Sequence, residues 1–316
     1  MTKVLYNAPG WDAAPWIEHF RVADPSLAVS VSTAPADLAE AAYAVVWRPE
    51  AGLLGRCPKL KAIFNLGVGV DSILTDQTIP PAIPLVRVVD PNMTERMTEW
   101  IVLQVLTHHR RALRYMEQQR ARRWHDVGNQ PAASSVAVGL MGLGALGSDA
   151  ALKLKTLGFK VAGWSRTPRS LPGIETFHGA DGLDRFLART EVLVSILPLT
   201  PETRGLIDRR LIAKLKRDGA LGGAYVINAG RGGSQVTDDI LAALNDGTLA
   251  GASLDVFEQE PWPAEHSIWA HPNAVITPHV AADSEPAALA HYIAGQIGRH
   301  RAGKPLENVV DRVRGY

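Results

Sequence analysis

The chain has 316 residues, of which 46% are hydrophobic and 21% charged, as in an ordinary soluble globular protein with two domains or one large one. A formal net charge of +1 argues against a general nucleic-acid binder, because such proteins carry an excess of basic groups. The single cysteine, Cys57, excludes an intrachain disulfide framework. Together with the lack of a signal-peptide pattern or a membrane-length apolar run, it predicts a cytoplasmic protein that has no membrane partner.

The first hundred residues alternate short strands and helices, which predicts a small parallel α/β domain. The predicted strands are Val4–Tyr6, Leu27–Val31, Ala44–Trp47, Leu60–Phe64 and Leu85–Val89. Helices are predicted near Pro15–Phe20 and Ala36–Ala42, with Pro35 at a helix start. The loop after the fourth strand contains Gly67 and Gly69, whose neighbouring N–H groups could converge on an anion. An ordinary turn with Asp71 or Ser72 as a helix N-cap explains the same residues, and taken alone it is the favoured interpretation.

A long helix, or a helix followed by a shorter one, is predicted from Thr94 to Arg123, with a capped start at Thr94 and Glu95. Six arginines lie in or near it: Arg110, Arg111, Arg114, Arg120, Arg122 and Arg123. Because the net charge is small, we interpret them as a solvated or subunit-facing surface rather than a nucleic-acid site. Trp124, just beyond them, is a candidate interface anchor.

The segment Ser135–Gly147 is the most informative part of the chain. An apolar run typical of a buried strand ends in the pattern Gly142-x-Gly144-x-x-Gly147, and a helical pattern and a second strand at Phe159–Trp164 follow. In this context the glycines predict a dinucleotide site: they allow a tight turn, close approach of a pyrophosphate, and close packing of helix on strand.

The residues after that second strand indicate which dinucleotide is bound. An NAD-binding protein usually places Asp or Glu here to hold the ribose 2′-hydroxyl. The segment from Gly163 to Arg169 contains no carboxylate, whereas Arg166 and Arg169 with Ser165 and Thr167 could bind a 2′-phosphate. A solvated basic loop is the alternative, but the position favours NADP(H), with NADH as a weaker cofactor.

Further strands are predicted at Glu191–Leu197, Tyr225–Asn228, Gly251–Val256 and Val275–Thr277, and a last helix at about Glu285–His300. Arg231, Glu260 and His279 follow three of these strands, at the edge where ligands bind in parallel sheets. An arginine can clamp a substrate carboxylate and polarise a keto oxygen. A protonated histidine can donate a proton, and a carboxylate beside it favours the imidazolium. Each residue alone could be an ordinary surface or strand-end residue, but together they predict reduction of a 2-keto acid.

The sequence contains no Cys/His cluster at metal-ligand spacing, so we predict no metal site. The other histidines, His108 and His266 among them, have no comparable placement and receive no role.

Over its whole length the chain resembles the D-isomer-specific 2-hydroxyacid dehydrogenases. The resemblance rests on the glycine pattern and on the segments Asn228–Gly232, Leu254–Pro261 and Thr277–His279, in that order. Within this family the chain is most similar to the glyoxylate/hydroxypyruvate reductase A group. The segments that it shares with that group are Leu66–Leu74, Trp164–Thr167 and Val310–Tyr316.

The resemblance implies a catalytic trio of Arg231, Glu260 and His279. It also implies that Leu66 and Gly67 bind the substrate carboxylate through backbone N–H groups, and that Trp47 and Arg48 line the substrate pocket. The implied fold is α/β, with two Rossmann-like or flavodoxin-like parallel-sheet domains and an interdomain cleft. The substrate-binding domain would comprise residues 1–101 and 283–316, the NADP(H)-binding domain residues 102–282, and the protein would be a homodimer built on the cofactor domains.

The complete set of residues predicted to bind the cofactor is Gly142, Gly144, Ala145, Leu146, Gly147, Trp164, Ser165, Arg166, Thr167, Arg169, Leu197, Pro198, Thr203, Ala229, Gly230 and Asp255. Two departures from the family pattern stand out: the absent NAD-type acid, and extra length at Ala220–Gly223 that could alter the Arg231 loop.

The predicted function is therefore NADPH-dependent reduction of small 2-keto acids, glyoxylate and hydroxypyruvate above all. The alternatives are a non-catalytic NAD(P)H-sensing module similar to corepressors of this superfamily, and an enzyme for bulkier 2-keto acids. A formate dehydrogenase-like enzyme would not be expected to use a Glu260-type carboxylate, and a phosphoglycerate dehydrogenase would carry a longer C-terminal tail.

Overall fold

The computed structural model describes residues 1–67, 69–88, 91–128, 130–282 and 285–312. Two compact units make up the chain: Met1–Met93 with Ser284–Tyr316, and Thr94–Asp283. Each has its own parallel sheet, which confirms the predicted fold class. The sequence-based division at 101/102 and 282/283 stays a prediction; its first boundary and the one between Met93 and Thr94 fall within the same helix.

The strands are β1 (Thr2–Asn7), β2 (Leu27–Ser30), β3 (Tyr43–Val46), β4 (Ala62–Asn65), β5 (Leu85–Arg87), β6 (Ala137–Met141), β7 (Lys160–Ser165), β8 (Glu175–His178), β9 (Val192–Ser195), β10 (Ala224–Asn228), β11 (Leu249–Leu254) and β12 (Ala274–Ile276). The α-helices are α1 (Ala13–Ala23), α2 (Pro35–Glu40), α3 (Asp71–Leu74), α4 (Pro91–His109), α5 (Ala112–Arg120), α6 (Ala145–Thr156), α7 (Gly179–Ala188), α8 (Arg209–Ala213), α9 (Thr237–Asn245) and α10 (Pro286–Arg301). In the part of the chain that the structure describes, none of the helices has the length and apolarity needed to span a membrane.

The first unit is a five-stranded sheet in the order β2-β1-β3-β4-β5, with every neighbouring pair parallel. Its two faces carry separate apolar cores: Phe20 and Ile293 from α1 and α10 lie on one face, and Leu38 and Ile73 from α2 and α3 on the other. Strands β3 and β4 are buried along their whole length, as expected for strands covered on both faces.

The second unit is a seven-stranded sheet in the order β12-β11-β10-β9-β6-β7-β8. The chain enters at β6, continues to β7 and β8 on one side, and then crosses back to β9 on the other side. The order therefore reverses between β6 and β9, and in open parallel sheets ligands bind at such a switch point, beyond the carboxyl ends of the strands.

The predicted strands agree with the structure to within two residues at each end, except that Val89 lies outside the described residues. One local prediction was wrong: the long helix begins at Pro91, not Thr94, because proline fits the first turn of a helix. The predicted alternative of a helix followed by a shorter one is confirmed, since α4 ends at His109 and α5 follows after Arg111, which adopts a left-handed conformation with φ of +53°.

The extra length at Ala220–Gly223 lies at the amino end of β10, whereas Arg231 follows the carboxyl end. The buried carboxylate of Glu191 holds this segment, accepting hydrogen bonds from the N–H groups of Leu221 (2.9 Å) and Ala137 (3.1 Å). The expectation that the insertion could alter the Arg231 loop finds no support in this position, because the strand separates the two.

His108, which received no role from the sequence, lies in the last turn of α4 in the second unit and contacts β11. Its Nε2 is 2.8 Å from Ser253 Oγ, which in turn donates to Gln104 Oε1 (3.0 Å). The imidazole is almost completely buried, and burial lowers its pKa from 6.5 to about 4. His108 is therefore a neutral structural group at physiological pH.

This burial predicts an acid-sensitive fold. Because the folded-state pKa is depressed, the unfolded chain binds the extra proton, so stability is full above pH 6.5 and falls as the pH drops towards 4. The loss from this one group is expected to be about 3 kcal/mol once the pH is well below 4, of which about 2 kcal/mol falls between pH 7 and pH 4.5, so His108→Gln should lose about that much less stability over this interval. Urea unfolding of both proteins at the two pH values measures the difference. Equal losses in the two proteins would contradict the assignment.

Candidate active site

The glycine-rich loop joins β6 to α6 at the carboxyl edge of the second sheet. Gly142 has a φ of +104°, and a Cβ atom there would lie only 2.8 Å from the carbonyl oxygen of Ile196. A Cβ atom on Gly147 would collide with the carbonyl oxygen of Gly142. Beside Gly144, by contrast, no described atom lies within 4 Å of an added Cβ. The open space at the first turn of α6 suits a phosphate, because the unpaired N–H groups and the positive dipole end of a helix N-terminus attract an anion.

The basic loop after β7 is held by its first residues. Trp164 Nε1 donates to the carbonyl oxygen of Gly179 (2.9 Å), and Ser165 Oγ donates to that of Thr167 (2.8 Å). Arg166, Thr167 and Arg169 are exposed at the surface. The loop thus presents two guanidinium groups and a hydroxyl at the sheet edge where the glycine-rich loop lies.

The loops after β7 and β9 approach each other across the glycine-rich loop, because β6 lies between those two strands. The pKa of the exposed Glu202 carboxyl lies below its usual range, chiefly because of a side-chain hydrogen bond with Thr200; the positive charge of Arg166 also contributes. Arg166 is therefore close enough to the loop after β9 to act on it electrostatically.

The remaining predicted cofactor residues of this edge lie in two adjoining loops. After β9, Leu197 is buried and Thr203 Oγ1 donates to the carbonyl oxygen of Pro198 (2.7 Å). After β10 come Ala229, which is buried, and Gly230, where a Cβ atom would lie 2.6 Å from the carbonyl oxygen of Leu197. The structure thus brings these five residues to the same edge as the glycine-rich loop.

Arg231 lies in the turn that follows β10. Its Nη1 donates to the carbonyl oxygen of Gly230 (2.7 Å), and its own carbonyl oxygen accepts from the N–H (3.0 Å) and hydroxyl (2.6 Å) of Ser234. The buried side-chain amide of Asn228 also holds the turn: its Oδ1 accepts from Gly230 N, and its Nδ2 donates to the carbonyl oxygen of Arg231. The backbone that carries the guanidinium is therefore fixed on both sides.

Glu260 and His279, from the loops after β11 and β12, form a hydrogen-bonded pair. The Nδ1 atom of His279 lies 2.9 and 3.0 Å from the two carboxylate oxygens of Glu260, and one of these oxygens also accepts from Phe257 N (3.2 Å). The His279 side chain is 29% exposed and that of Glu260 21%, so a small molecule can reach both. Because the carboxylate engages Nδ1, proton exchange with a substrate would use Nε2.

Asp255 organises the loop that presents His279. Its buried carboxylate accepts hydrogen bonds from Thr277 Oγ1 and from the N–H groups of Val280 (2.9 Å) and Ala281 (3.0 Å). Its carbonyl oxygen accepts from His279 N (2.8 Å), and His279 itself has a left-handed φ of +59°. Sequence reasoning placed Asp255 among the cofactor residues, which stays a prediction, and missed this role in holding the histidine loop.

The four residues predicted to bind substrate from the first unit, Trp47, Arg48, Leu66 and Gly67, form one patch. Asn65, at the end of β4, holds the loop that follows this strand: its Nδ2 donates to the carbonyl oxygens of Gly67 and Gly69, each at 2.7 Å. Gly67 lies so close to Trp47 that a Cβ atom would collide with the indole, and the Arg48 guanidinium lies 5.4 Å from the ring centroid.

Some predictions for this unit fall on residues that the structure does not describe: Val68 within the loop, residues 313–316 of the shared C-terminal segment, and the side chains of Asp71 and Ser72 as N-caps. Among the described residues, no group of three His, Cys, Asp or Glu side chains could hold a metal ion.

Three comparisons with known proteins agree with this geometry. The profile of the family described as "D-isomer specific 2-hydroxyacid dehydrogenase, NAD binding domain" matches residues 102–281. A protein named glyoxylate/hydroxypyruvate reductase A, from Escherichia fergusonii, is 42% identical, with 99% of each chain covered.

Solved structures are similar along the whole chain. An NADPH-dependent glyoxylate/hydroxypyruvate reductase from Sinorhizobium meliloti, in complex with NADP and sulfate, is 46% identical, with a TM-score of 0.94 and 100% of each chain covered. A probable 2-hydroxyacid dehydrogenase from Rhizobium etli, in complex with NADP, HEPES and L(+)-tartaric acid, is 45% identical, with a TM-score of 0.92 and the same coverage. With more than half of its length matched by the family profile and relatives of this similarity, the chain belongs to the D-isomer-specific 2-hydroxyacid dehydrogenase family.

Proposed function

We propose that this protein reduces small 2-keto acids with NADPH, converting glyoxylate to glycolate and hydroxypyruvate to D-glycerate. The observation that carries the proposal is the hydrogen-bonded Glu260–His279 pair, which shares a sheet edge with the Arg231 turn and the glycine-rich loop. The names of the similar proteins, which specify these two keto acids and NADPH, support it.

Arg231 binds the substrate. Its planar guanidinium forms two parallel hydrogen bonds to a carboxylate and, next to the keto group, withdraws electron density from the oxygen. For the Leu66–Gly67 loop of the first unit the proposed role is to bind a substrate carboxylate through its backbone N–H groups, and Trp47 and Arg48 lie beside this loop.

His279 supplies the proton. In its doubly protonated form it donates from Nε2 to the keto oxygen, while the Glu260 carboxylate on Nδ1 stabilises the imidazolium and fixes the ring. NADPH, when bound, supplies the hydride that C2 receives, so one hydride and one proton convert the keto acid to the 2-hydroxy acid. Proton transfer of this kind typically contributes about 10²- to 10⁴-fold to the rate.

The cofactor fits the second unit. The glycine-rich loop leaves space at the N-terminus of α6 for the pyrophosphate, and Arg166 with Ser165, Thr167 and Arg169 would hold the 2′-phosphate. NADH lacks that phosphate and therefore gains nothing from these groups. The other predicted cofactor residues lie in the adjoining loops.

We also propose that the protein is a cytoplasmic homodimer formed through its cofactor domains. Trp124, fully exposed after α5 and next to the exposed Arg122 and Arg123, supports this because a tryptophan in such a position is a typical interface anchor. The one cysteine, Cys57, is buried and unbridged, in keeping with a reducing compartment.

Steady-state kinetics of the purified protein test the function directly. NADPH oxidation should follow the addition of glyoxylate or hydroxypyruvate, and it should be faster than with NADH at the same concentration. The panel should include a bulky keto acid such as phenylpyruvate, which we expect to react more slowly. Tight NADPH binding without turnover on any keto acid would refute the reductase and favour a nucleotide-sensing module.

A further inference from the structure

The acid loop, Asp255–Glu258, leads from the end of β11 towards Glu260, and each of its four residues contacts the segment that carries Arg231. Asp255 N donates to the carbonyl oxygen of Asn228 (3.0 Å), and the carbonyl oxygen of Val256 accepts from Gln235 Nε2 (3.0 Å). The backbone of Phe257 packs so closely on Gly232 that a Cβ atom there would collide with it. The carboxylate of Glu258 accepts from Thr237 N (2.7 Å) and Oγ1 (2.6 Å). We call this row of contacts the seam.

Gln235 is the central residue of the seam. It is 2% exposed, and its amide is fully engaged: Oε1 accepts from Asn228 Nδ2 (2.7 Å), while Nε2 donates to Val256 O (3.0 Å) and Thr237 Oγ1 (2.9 Å). One side chain therefore joins the end of β10, the acid loop and the start of α9. An apolar residue here would leave Asn228 and Val256 with buried polar atoms that lack this partner.

Glu258 is the exposed residue at the end of the seam. Both of its carboxylate oxygens accept hydrogen bonds from Thr237, the first residue of α9, at a helix end where a negative charge is also favourable. Unlike Gln235, Glu258 is exposed, so its replacement removes the contact without opening the core.

We propose that Gln235 and Glu258 are positioning residues for the reduction, since they set the separation between Arg231 and the Glu260–His279 pair. Neither touches the substrate in the proposed mechanism; each acts through the loop that it holds. The substrate carboxylate is clamped by one loop and its keto oxygen is protonated from the other, so a shift of about 1 Å between the loops costs on the order of 10²-fold. This inference rests on the proposed function.

Gln235→Leu tests the buried half of the seam. We expect the KM for glyoxylate to rise about 10-fold and kcat to fall about 10-fold, while the Kd for NADPH, measured without keto acid, stays within about twofold of wild type. Gln296→Leu is the matched control: Gln296 is also a buried, hydrogen-bonded glutamine, but it lies on α10 of the first unit and its partners Tyr292 and Glu307 belong to the same unit. This control should lower the melting temperature and leave both kinetic constants unchanged.

The exposed half of the seam keeps the test valid even if Gln235→Leu does not fold. Glu258→Ala should raise the KM for glyoxylate and lower kcat in the same sense, about threefold to tenfold each. Glu258→Gln, whose amide can still accept from Thr237 N, should recover most of the activity. Gln259→Ala, a change at the exposed neighbouring residue, should behave as wild type.

The kinetic pattern separates positioning from a loss of folded enzyme. Partial unfolding reduces kcat in proportion to the active fraction and leaves KM unchanged, whereas displaced loops raise KM as well. An unchanged KM in Gln235→Leu and Glu258→Ala, or in Glu258→Ala alone if the first variant is unfolded, overturns the inference. An inactive wild-type protein would instead refute the proposed function, and the inference with it.

Discussion

Arg231→Ala is expected to lower kcat/KM for glyoxylate by about 10³-fold, one of the two largest effects that we predict. Two charge-assisted hydrogen bonds between the guanidinium and the substrate carboxylate are worth about 2 kcal/mol each, and about 4 kcal/mol corresponds to a factor of about 10³. The Arg231 backbone is held by Asn228 and Ser234, so the substitution should leave the loop in place. Initial rates over a range of glyoxylate concentrations measure the effect.

Two comparisons show whether the loss comes from the guanidinium itself. Arg231→Lys keeps the charge but not the planar fork, so it should be impaired less than the alanine variant and more than the wild type. NADPH should bind the alanine variant as it binds the wild type. A kcat/KM within tenfold of wild type in Arg231→Ala would remove this residue from the mechanism.

Arg166→Asp is expected to reverse the cofactor preference. The wild-type arginine attracts a 2′-phosphate, whereas an aspartate repels it and can instead accept a hydrogen bond from the 2′-hydroxyl of NADH. Loss of a charge-assisted hydrogen bond of about 2 kcal/mol, with the added repulsion, should change the ratio of kcat/KM for NADPH to that for NADH by about 10²- to 10³-fold. The ratio is measured at a saturating keto acid concentration.

The control for this reversal is Arg217→Asp. Arg217 is also exposed in the second unit, but it lies between α8 and β10, at the amino edge of the sheet, so the same change in net charge occurs away from the expected phosphate. The control should keep the wild-type cofactor ratio. If both variants keep that ratio, the 2′-phosphate is not bound at Arg166.

The alternating pattern of strands and helices was enough to predict both sheets, because a strand buried on both faces is a continuous apolar run that is visible without the fold. Strand β8 was missed because it lacks such an apolar run. Of its four residues only Phe177 is buried, so an edge strand that pairs only with β7 carries little apolar signal. A helix followed by a shorter one was among the predictions, but the position of the break between α4 and α5 was not, since Arg111 takes its left-handed conformation without a glycine or proline to mark it.

The candidate site divides in a similar way. Arg231, Glu260 and His279 could be predicted because parallel strands place their carboxyl ends along one edge, and the structure then brought Glu260 into contact with His279. The supporting contacts could not be predicted. Gln235 lies beside Val256 only because β10 and β11 are neighbours in register, with Asn228 opposite Leu254, and nothing local in the sequence encodes that pairing.

By itself the sequence determined the chemistry: a glycine loop that admits a phosphate, a basic loop without a carboxylate, and one cation, one acid and one imidazole at successive strand ends. These are local properties of residue type and spacing. Tertiary structure alone decided which nitrogen of His279 faces Glu260, that Asp255 holds the histidine loop, and that the seam joins the two loops. The reason is physical: hydrogen bonds depend on distances of about 3 Å between residues far apart in the chain, and only the packing of strands and loops sets those distances.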